Sequence, residues 1–128
     1  MTILRVEKFS EVRQEPRGPY SVKAAGTDQI LPDSHYDRVA NFGPYHLTNT
    51  DEIYNLFRKT PDKAVDYFFG FRTMEQLEEW FNEKDRELLK QYNFVIASYE
   101  VDEKFIAKSS RQVAFHYGKS KKIKEVKI

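Results

Sequence analysis

Cysteine is missing from this chain of 128 residues. Its absence excludes disulfides, thiolate metal sites and cysteine nucleophiles, and it is compatible with folding in a reducing cytosol. Long apolar runs are missing too, since none approaches the roughly 20 residues of a membrane helix, and the N-terminus lacks the basic-then-apolar pattern of a secretory signal. We therefore expect a soluble, cytoplasmic protein with no membrane partner.

An excess of charge of one sign is also absent. The chain carries 21 Lys and Arg against 20 Asp and Glu, which gives a formal net charge of +1. This balance argues against both a DNA mimic and a general nucleic-acid binder.

Several familiar site motifs are absent as well. His35, His46 and His116 lie too far apart in sequence to form a local ligand pair, so we expect no metal site. The sequence also lacks a phosphate-cradling glycine loop with lysine, a dinucleotide fingerprint and a glycine-flanked serine elbow. These nucleotide-binding and hydrolase classes are therefore set aside.

Aromatic side chains, by contrast, are plentiful. Ten Phe and eight Tyr supply most of the 15% aromatic content, while apolar residues reach only 40%. These values favour a core built from a few large rings. A chain of this length fits one domain, which we place over residues 1–128.

Five segments have the composition of strands. Residues 3–9 alternate in a strand-like way, residues 68–71 are rich in Phe, and residues 94–101 form the strongest strand pattern. We expect residues 112–117 to pair within the same sheet as that last segment. The tail 119–128 holds five lysines beside alternating apolar residues, a pattern that favours a lysine-protected edge strand over a nucleic-acid arm.

The residues that follow the Phe-rich strand have the pattern of a helix N-terminus. Thr73 followed three residues later by Gln76 has the spacing of a capping box, so a helix should begin at Met74. Its apolar residues recur at helical spacing to about Lys90, and Asn93 is suited to ending it. The sequence therefore predicts one long helix, whose capped N-terminus favours a structural junction over a phosphate site.

Three further segments complete the expected architecture. Residues 50–59 are typical of a short helix with Thr50 as the N-cap, and residues 13–19, with two prolines and a glycine, predict a loop. Residues 20–47 lack a regular period but are too apolar for a disordered linker, so we expect an ordered loop region that roofs a pocket. The expected fold class is α+β, a twisted, mainly antiparallel sheet packed on the 74–90 helix.

Four polar side chains are candidates for a binding site. His35 and Tyr36 lie in the expected roof, where an imidazole can exchange a proton and a phenol can stack on a base; a surface histidine beside a packed tyrosine is the alternative. Arg5, inside the first strand, either points to solvent or is paired in a cleft, where its planar fork suits phosphate or carboxylate. Gln112 either presents its amide to a ligand hydroxyl or lies at the surface.

Five short motifs also occur in a fixed order along the chain. They are Arg5, Val6 and Glu7; Gly18, Pro19 and Tyr20; Gly70, Phe71, Thr73, Glu75, Gln76, Leu77, Trp80 and Phe81; Tyr99, Glu100 and Val101; and Gln112, Val113 and Phe115. This order resembles a family of small, largely uncharacterised phage-encoded proteins. The similarity spans most of the chain, and its helix-start motif is specific.

The family pattern is in turn distantly similar to the ADP-ribosyltransferase fold. In that fold a first-strand Arg or His contacts the dinucleotide, a Ser/Thr-bearing strand supports the nicotinamide pocket, and a late-strand Glu contacts the ribose. The resemblance implies that Arg5 is the first-strand contact, Thr73 the hydroxyl support and Gln112 the late-strand residue. Because Gln112 stands where the enzymes have a carboxylate, and a neutral amide cannot stabilise developing positive charge, the resemblance leaves enzymatic activity open.

These resemblances imply a phage accessory protein for host takeover or counter-defence, in the cytoplasm of the infected host. We expect it to bind NAD or an ADP-ribose-type nucleotide, with NAD as substrate or ligand and no other cofactor. The expected ligand-binding residues are Arg5, Tyr20, His35, Tyr36, Thr73 and Gln112. The alternatives are a non-catalytic sponge for a host signalling nucleotide, a protein–protein inhibitor of a host factor, and a structural role in the virion.

Overall fold

The computed structural model describes residues 1–11, 14–20 and 30–128. Within these ranges the strands are β1 (Thr2–Ser10), β2 (Glu15–Arg17), β3 (Tyr67–Gly70), β4 (Val95–Val101), β5 (Ile106–Lys108), β6 (Val113–His116) and β7 (Ser120–Lys127). The helices in the same ranges are α1 (Asp33–Val39), α2 (Glu52–Lys59), α3 (Pro61–Ala64), α4 (Met74–Trp80) and α5 (Glu83–Gln91). The expected mixture of helices and antiparallel strands is confirmed, with two sheets in place of one.

The two sheets are joined through β1. The first has the order β2-β1-β4-β7 and the second β3-β6-β5, with all neighbours antiparallel. Leu4 N donates to Phe71 O at 2.8 Å and Phe71 N donates to Leu4 O at 2.7 Å, which links the sheets. The expectation that 94–101 and 112–117 share one sheet is wrong, because β4 belongs to the first sheet and β6 to the second.

Both faces of β1 are covered. Ile3 belongs to an apolar cluster shared with the second sheet, whereas Val6 belongs to a cluster shared with α4 and α5. Because side chains alternate along a strand, Arg5 and Glu7 lie on the same face as Ile3. The face of β1 that packs against the second sheet therefore carries one apolar side chain, Ile3, and two charged ones, Arg5 and Glu7.

The single helix predicted over 74–90 is two helices. Thr73 Oγ1 accepts from Gln76 N at 3.1 Å, which confirms the start at Met74. The chain then turns extended at Phe81, and Asn82 caps α5 in a capping box with Asp85. Because the capping pair satisfies a new set of backbone N–H groups, it starts a second helix where the apolar spacing alone predicts continuity.

Three local predictions also need correction. Residues 15–17 form β2 instead of a loop, since Pro16 can lie on the edge of a sheet without breaking its pairing. The N-cap of α2 is Asp51, whose carboxylate accepts from two backbone N–H groups, and not Thr50. Helix α1 lies within the expected loop 20–47, of which 21–29 fall outside the described residues.

Two features of the C-terminal third agree with the sequence predictions: the end of the second helix and the edge strand of the tail. Asn93 has φ of 65°, the left-handed conformation that closes a helix, and β4 follows it. The tail forms β7, an edge strand paired with β4 on one side and rich in lysine. None of the helices found in the described ranges combines the length and apolar character needed to cross a bilayer.

Candidate functional site

A cleft of about 360 Å³ opens beside the cleft wall, the name used here for residues 15–20. Aromatic rings of β3 and α4 form much of its lining. Three of the predicted binding residues, Arg5, Tyr20 and Gln112, also line it. They come from β1, from the end of the cleft wall and from the residue before β6, so tertiary structure brings them together.

Arg5 is held in this cleft from several sides. Its Nη1 donates to Glu7 Oε1 at 3.1 Å, and its guanidinium carbon lies 4.4 Å from the centroid of the Phe68 ring. Gly18 passes so close that a Cβ atom there would lie 3.2 Å from Arg5 Nη2. Burial lowers the pKa of Arg5, while the Glu7 carboxylate opposes that shift. Arg5 is therefore a fixed cation in the cleft and not a solvent-facing strand residue.

Glu7 is a buried carboxylate that sequence analysis did not select as a site residue. It accepts hydrogen bonds from Arg5 Nη1, from Tyr99 Oη at 2.6 Å and from Lys122 Nζ at 2.9 Å. Burial and the bond to Glu7 raise the pKa of the Tyr99 phenol, which remains a donor. The Arg-x-Glu spacing on β1 is the sequence signal for this pair, because residues two apart on a strand share a face.

Gln112 is fixed by its own side-chain nitrogen. It is 5% exposed, and its Nε2 donates to the backbone oxygen of Phe42 at 3.0 Å. Within the part of the chain that the structure describes, no donor bonds to its Oε1. The side chain is therefore fixed through its nitrogen, while its oxygen keeps the acceptor capacity of an amide.

A second ion pair belongs to the cleft wall. Arg17 Nη1 donates to Glu15 Oε1 at 3.0 Å, and both residues line the cleft. The sequence predicts a loop over this segment, so it gives no indication that the two side chains lie on one strand. Its consequence for chemistry is that Glu15 and Glu7 each have a guanidinium partner.

Tyr20 begins a chain of hydrogen bonds that leads away from the cleft. Trp80 Nε1 donates to Tyr20 Oη at 2.7 Å, and Tyr20 Oη lies 2.6 Å from His35 Nε2. On the far side of the imidazole, His35 Nδ1 lies 3.1 Å from Asp85 Oδ2, which also accepts from Arg38. We call Trp80, Tyr20, His35 and Asp85 the buried chain.

The environment of the buried chain disfavours a charge on His35 and on Tyr20. His35 and Asp85 are wholly buried, and His35 stacks on Phe81 with centroids 5.2 Å apart and planes at 3°. Burial lowers the pKa of His35, although Asp85 opposes the shift, and burial raises the pKa of Tyr20. A neutral imidazole and a neutral phenol are the forms that this environment favours.

The other three predicted binding residues lie away from the cleft lining. Thr73 is exposed and caps α4, His35 is enclosed behind Tyr20, and Tyr36 packs edge-on against the His35 ring with centroids 5.3 Å apart. The structure thus brings Arg5, Tyr20 and Gln112 together, while Thr73, His35 and Tyr36 lie outside the cleft lining. No cluster of three potential metal ligands occurs among residues 1–11, 14–20 and 30–128.

The chain is similar to a known protein family. The family model described as "Bacteriophage T4 Y00F protein" matches residues 1–128. Neither a curated protein nor a solved structure matches the chain.

Proposed function

Because the chain belongs to the bacteriophage T4 Y00F protein family, we propose that it is a phage accessory protein whose cleft binds a nucleotide of the NAD or ADP-ribose type. It would act in the cytoplasm of the infected host, in host takeover or counter-defence. The observation that carries the proposal is the meeting of Arg5 and Gln112 at one aromatic-lined cleft. The ADP-ribosyltransferase resemblance selects these two residues together with Thr73, which lies outside the cleft lining.

The cleft has the features of a small-molecule site. Its volume of about 360 Å³ falls within the range of roughly 300 to 1,000 Å³ that ligand pockets occupy. Its lining is mainly apolar and aromatic, with a few fixed polar groups, which is the pattern that gives affinity from ring burial and orientation from hydrogen bonds.

Each part of an ADP-ribose-type ligand has a matching group. Aromatic side chains such as Tyr67 and Trp80 offer surfaces on which a base can stack. The guanidinium groups of Arg5 and Arg17 suit phosphate oxygens, because arginine presents a planar array of donors. Gln112 Oε1 suits a ribose hydroxyl or an exocyclic amine.

Binding without transfer is the form of the proposal that the charges favour. Transfer of ADP-ribose develops positive charge on the sugar, and an ionised acid is the group that stabilises it. Gln112 is neutral, while Glu7 and Glu15 are each paired with an arginine. The proposed activity is therefore sequestration of the nucleotide, which is also the sponge alternative.

Calorimetric titration with ADP-ribose and NAD tests the proposal. Arg17→Ala is the informative variant, because Arg17 lines the cleft, and its loss should weaken binding about tenfold, the effect of one charge-assisted hydrogen bond of about 1.5 kcal/mol. Arg58→Ala is the matched control, since Arg58 stacks on Tyr45 and lies outside the cleft lining.

Three outcomes would count against parts of the proposal. Binding of neither nucleotide at millimolar concentration would reject the ligand class, and a cyclic nucleotide that binds in its place would select a signalling nucleotide. Equal weakening by both arginine variants would place the ligand outside the cleft. Release of nicotinamide from NAD by the unmodified protein would overturn sequestration in favour of catalysis.

A further inference from the structure

We propose that the backbone N–H and C=O of Val6 bind the base of the nucleotide in the cleft, and that the base they select is adenine. The choice of adenine rests on the proposed nucleotide-binding role of the cleft. The open backbone pair itself rests on strand geometry alone.

Among the described residues, β1 has a gap in its pairing on the edge that faces away from β4. On that edge Leu4 exchanges two hydrogen bonds with Phe71, and the pairing with β2 begins at Lys8. The interval from Leu4 to Lys8 is about 13 Å along an extended chain, with Val6 at its centre. Val6 lines the cleft, so the gap opens into the cleft.

The direction of the Val6 backbone groups follows from its neighbours on both sides. Because Leu4 uses its N–H and its C=O on this edge, every second residue of β1 turns the same groups to it. Pro16 gives the same answer independently: it lies opposite Phe9 and has no N–H, so the pair that exchanges hydrogen bonds with β2 is that of Lys8. Val6 lies between Leu4 and Lys8 in this alternation, so its N–H and C=O face the cleft.

These two Val6 groups are buried and have no backbone partner in the part of the chain that the structure describes. Val6 is 3% exposed. Buried backbone donors and acceptors are almost always paired, because an unpaired one costs as much as a lost hydrogen bond. A longer β2 would not complete the pair, since its register would place Pro19, which has no N–H, opposite Val6. A ligand in the cleft is the partner that can complete it.

The gap suits the edge of a planar ring and not a peptide strand. Only one residue of β1 turns its backbone groups to the gap, whereas strand addition needs a row of them. The N–H and C=O of one strand residue lie side by side, so their complement is an acceptor next to an N–H donor. A phosphate offers acceptors only and does not match this pair.

Adenine carries the matching pattern on its Watson–Crick edge. Its N6 amine is a donor for Val6 C=O, and its N1 is an acceptor for Val6 N–H. Adenine is also the part that NAD and ADP-ribose share, so one contact accounts for both ligands of the proposed function. Aromatic rings of the same cleft lining, among them Phe71 and Trp80, offer flat surfaces to the base.

Hydrogen exchange in the ligand-free protein tests the open pair by itself. Arg5 and Glu7 turn their N–H groups to β4, where both residues are paired, whereas Val6 turns its N–H to the gap. In ¹H–¹⁵N spectra recorded after transfer to deuterated water, the Val6 amide should therefore exchange faster than those of its two neighbours. Exchange as slow as theirs would overturn the open pair.

Analogues of ADP-ribose test the choice of adenine. Replacing adenine by 1-deazaadenine removes the acceptor, and replacing it by unsubstituted purine removes the amine. Each change should raise the dissociation constant about tenfold, the effect of one buried hydrogen bond. Hypoxanthine has a donor at N1 and an acceptor at position 6, so it opposes both Val6 groups and should bind about a hundredfold more weakly. The matched control is 7-deazaadenine, which keeps N1 and the amine and should bind as adenine does.

The outcomes separate the base contact from the ligand proposal. Saturation with ADP-ribose should slow exchange of the Val6 amide. Equal affinity for adenine, 1-deazaadenine and purine forms would overturn the adenine contact and leave nucleotide binding intact. Slowing by nicotinamide mononucleotide and not by AMP would assign the pair to the carboxamide and overturn adenine. A fast Val6 amide without ADP-ribose binding would reject the proposed function, and the adenine contact with it, and would support the open pair.

Discussion

Gly70 and Ile3 approach so closely that a Cβ atom on Gly70 would lie 2.6 Å from Ile3 Cγ2 and 2.8 Å from the backbone oxygen of Leu4. Gly70 ends β3 and Ile3 lies on β1, so this contact sets how near the second sheet comes to the first. The missing side chain is therefore what allows the Leu4 and Phe71 backbones to exchange hydrogen bonds.

Gly70→Ala should destabilise the protein by about 1–3 kcal/mol, the usual cost of overpacking a well-packed core. Ile3 is wholly buried and the Leu4 oxygen is backbone, so neither can move cheaply. The free energy of unfolding in urea measures the effect.

Gly43→Ala is the matched control for that substitution. Its nearest neighbour would be His46 Cδ2 at 3.6 Å, and its φ of −75° suits any residue. This variant should be neutral or stabilising by up to about 1 kcal/mol, because alanine restricts the unfolded chain. Equal losses at the two positions would show that the sheets do not approach at Gly70.

Glu7→Gln should cost about 3 kcal/mol, because it leaves the Arg5 guanidinium buried without its charged partner. The amide keeps the size of the carboxylate, so packing changes little. Urea unfolding should also show that adding Arg5→Met recovers part of the loss, since the double variant no longer buries an unpaired cation. A double variant with losses equal to the sum of the two single variants would contradict this coupling.

Local sequence signals predict the positions of helices and strands better than they predict which strands pair with each other. The alternation in β1 and the Thr73 cap are confirmed because each depends on residues close in sequence. The separation of β4 from β6 could not be predicted, since it depends on the approach of Gly70 to Ile3. Burial of Arg5 likewise depends on its contacts with Glu7 and with the Phe68 ring. The composition of the strand does not predict either contact.

Acid should destabilise the fold through His35. Its folded-state pKa is lowered, chiefly by burial, so the unfolded chain binds the proton more readily. The stabilisation is complete above about pH 6.5, the pKa in the unfolded chain, and is lost progressively as the pH falls towards the lowered folded value. Thermal unfolding between about pH 5 and 8 should therefore show a lower Tm on the acid side.

His35→Gln should flatten that dependence, whereas His46→Gln should preserve it. The pKa of Glu100 is lowered from 4.5 by hydrogen bonds from the N-terminal amine and Thr2, so its effect belongs to more acid pH. The interval from about pH 5 to 6.5 consequently lies above the range in which Glu100 contributes. The same acid loss in His35→Gln as in the unmodified protein would assign it to other groups.

Asn82→Ala distinguishes two helices from one by the sign of its effect. Asn82 Oδ1 accepts from Asp85 N at 2.9 Å, so removing it should destabilise the protein by about 1 kcal/mol, the usual value of an N-cap. In a continuous helix over 74–90 the same change would stabilise it by up to about 0.7 kcal/mol, because alanine has the higher helix propensity. Lys84→Ala, at an exposed position of α5, should stay within about 0.5 kcal/mol of the unmodified protein in urea unfolding. A gain of stability in Asn82→Ala would support a single helix over 74–90. It would also contradict the capping box through which Asn82 positions Asp85 next to His35.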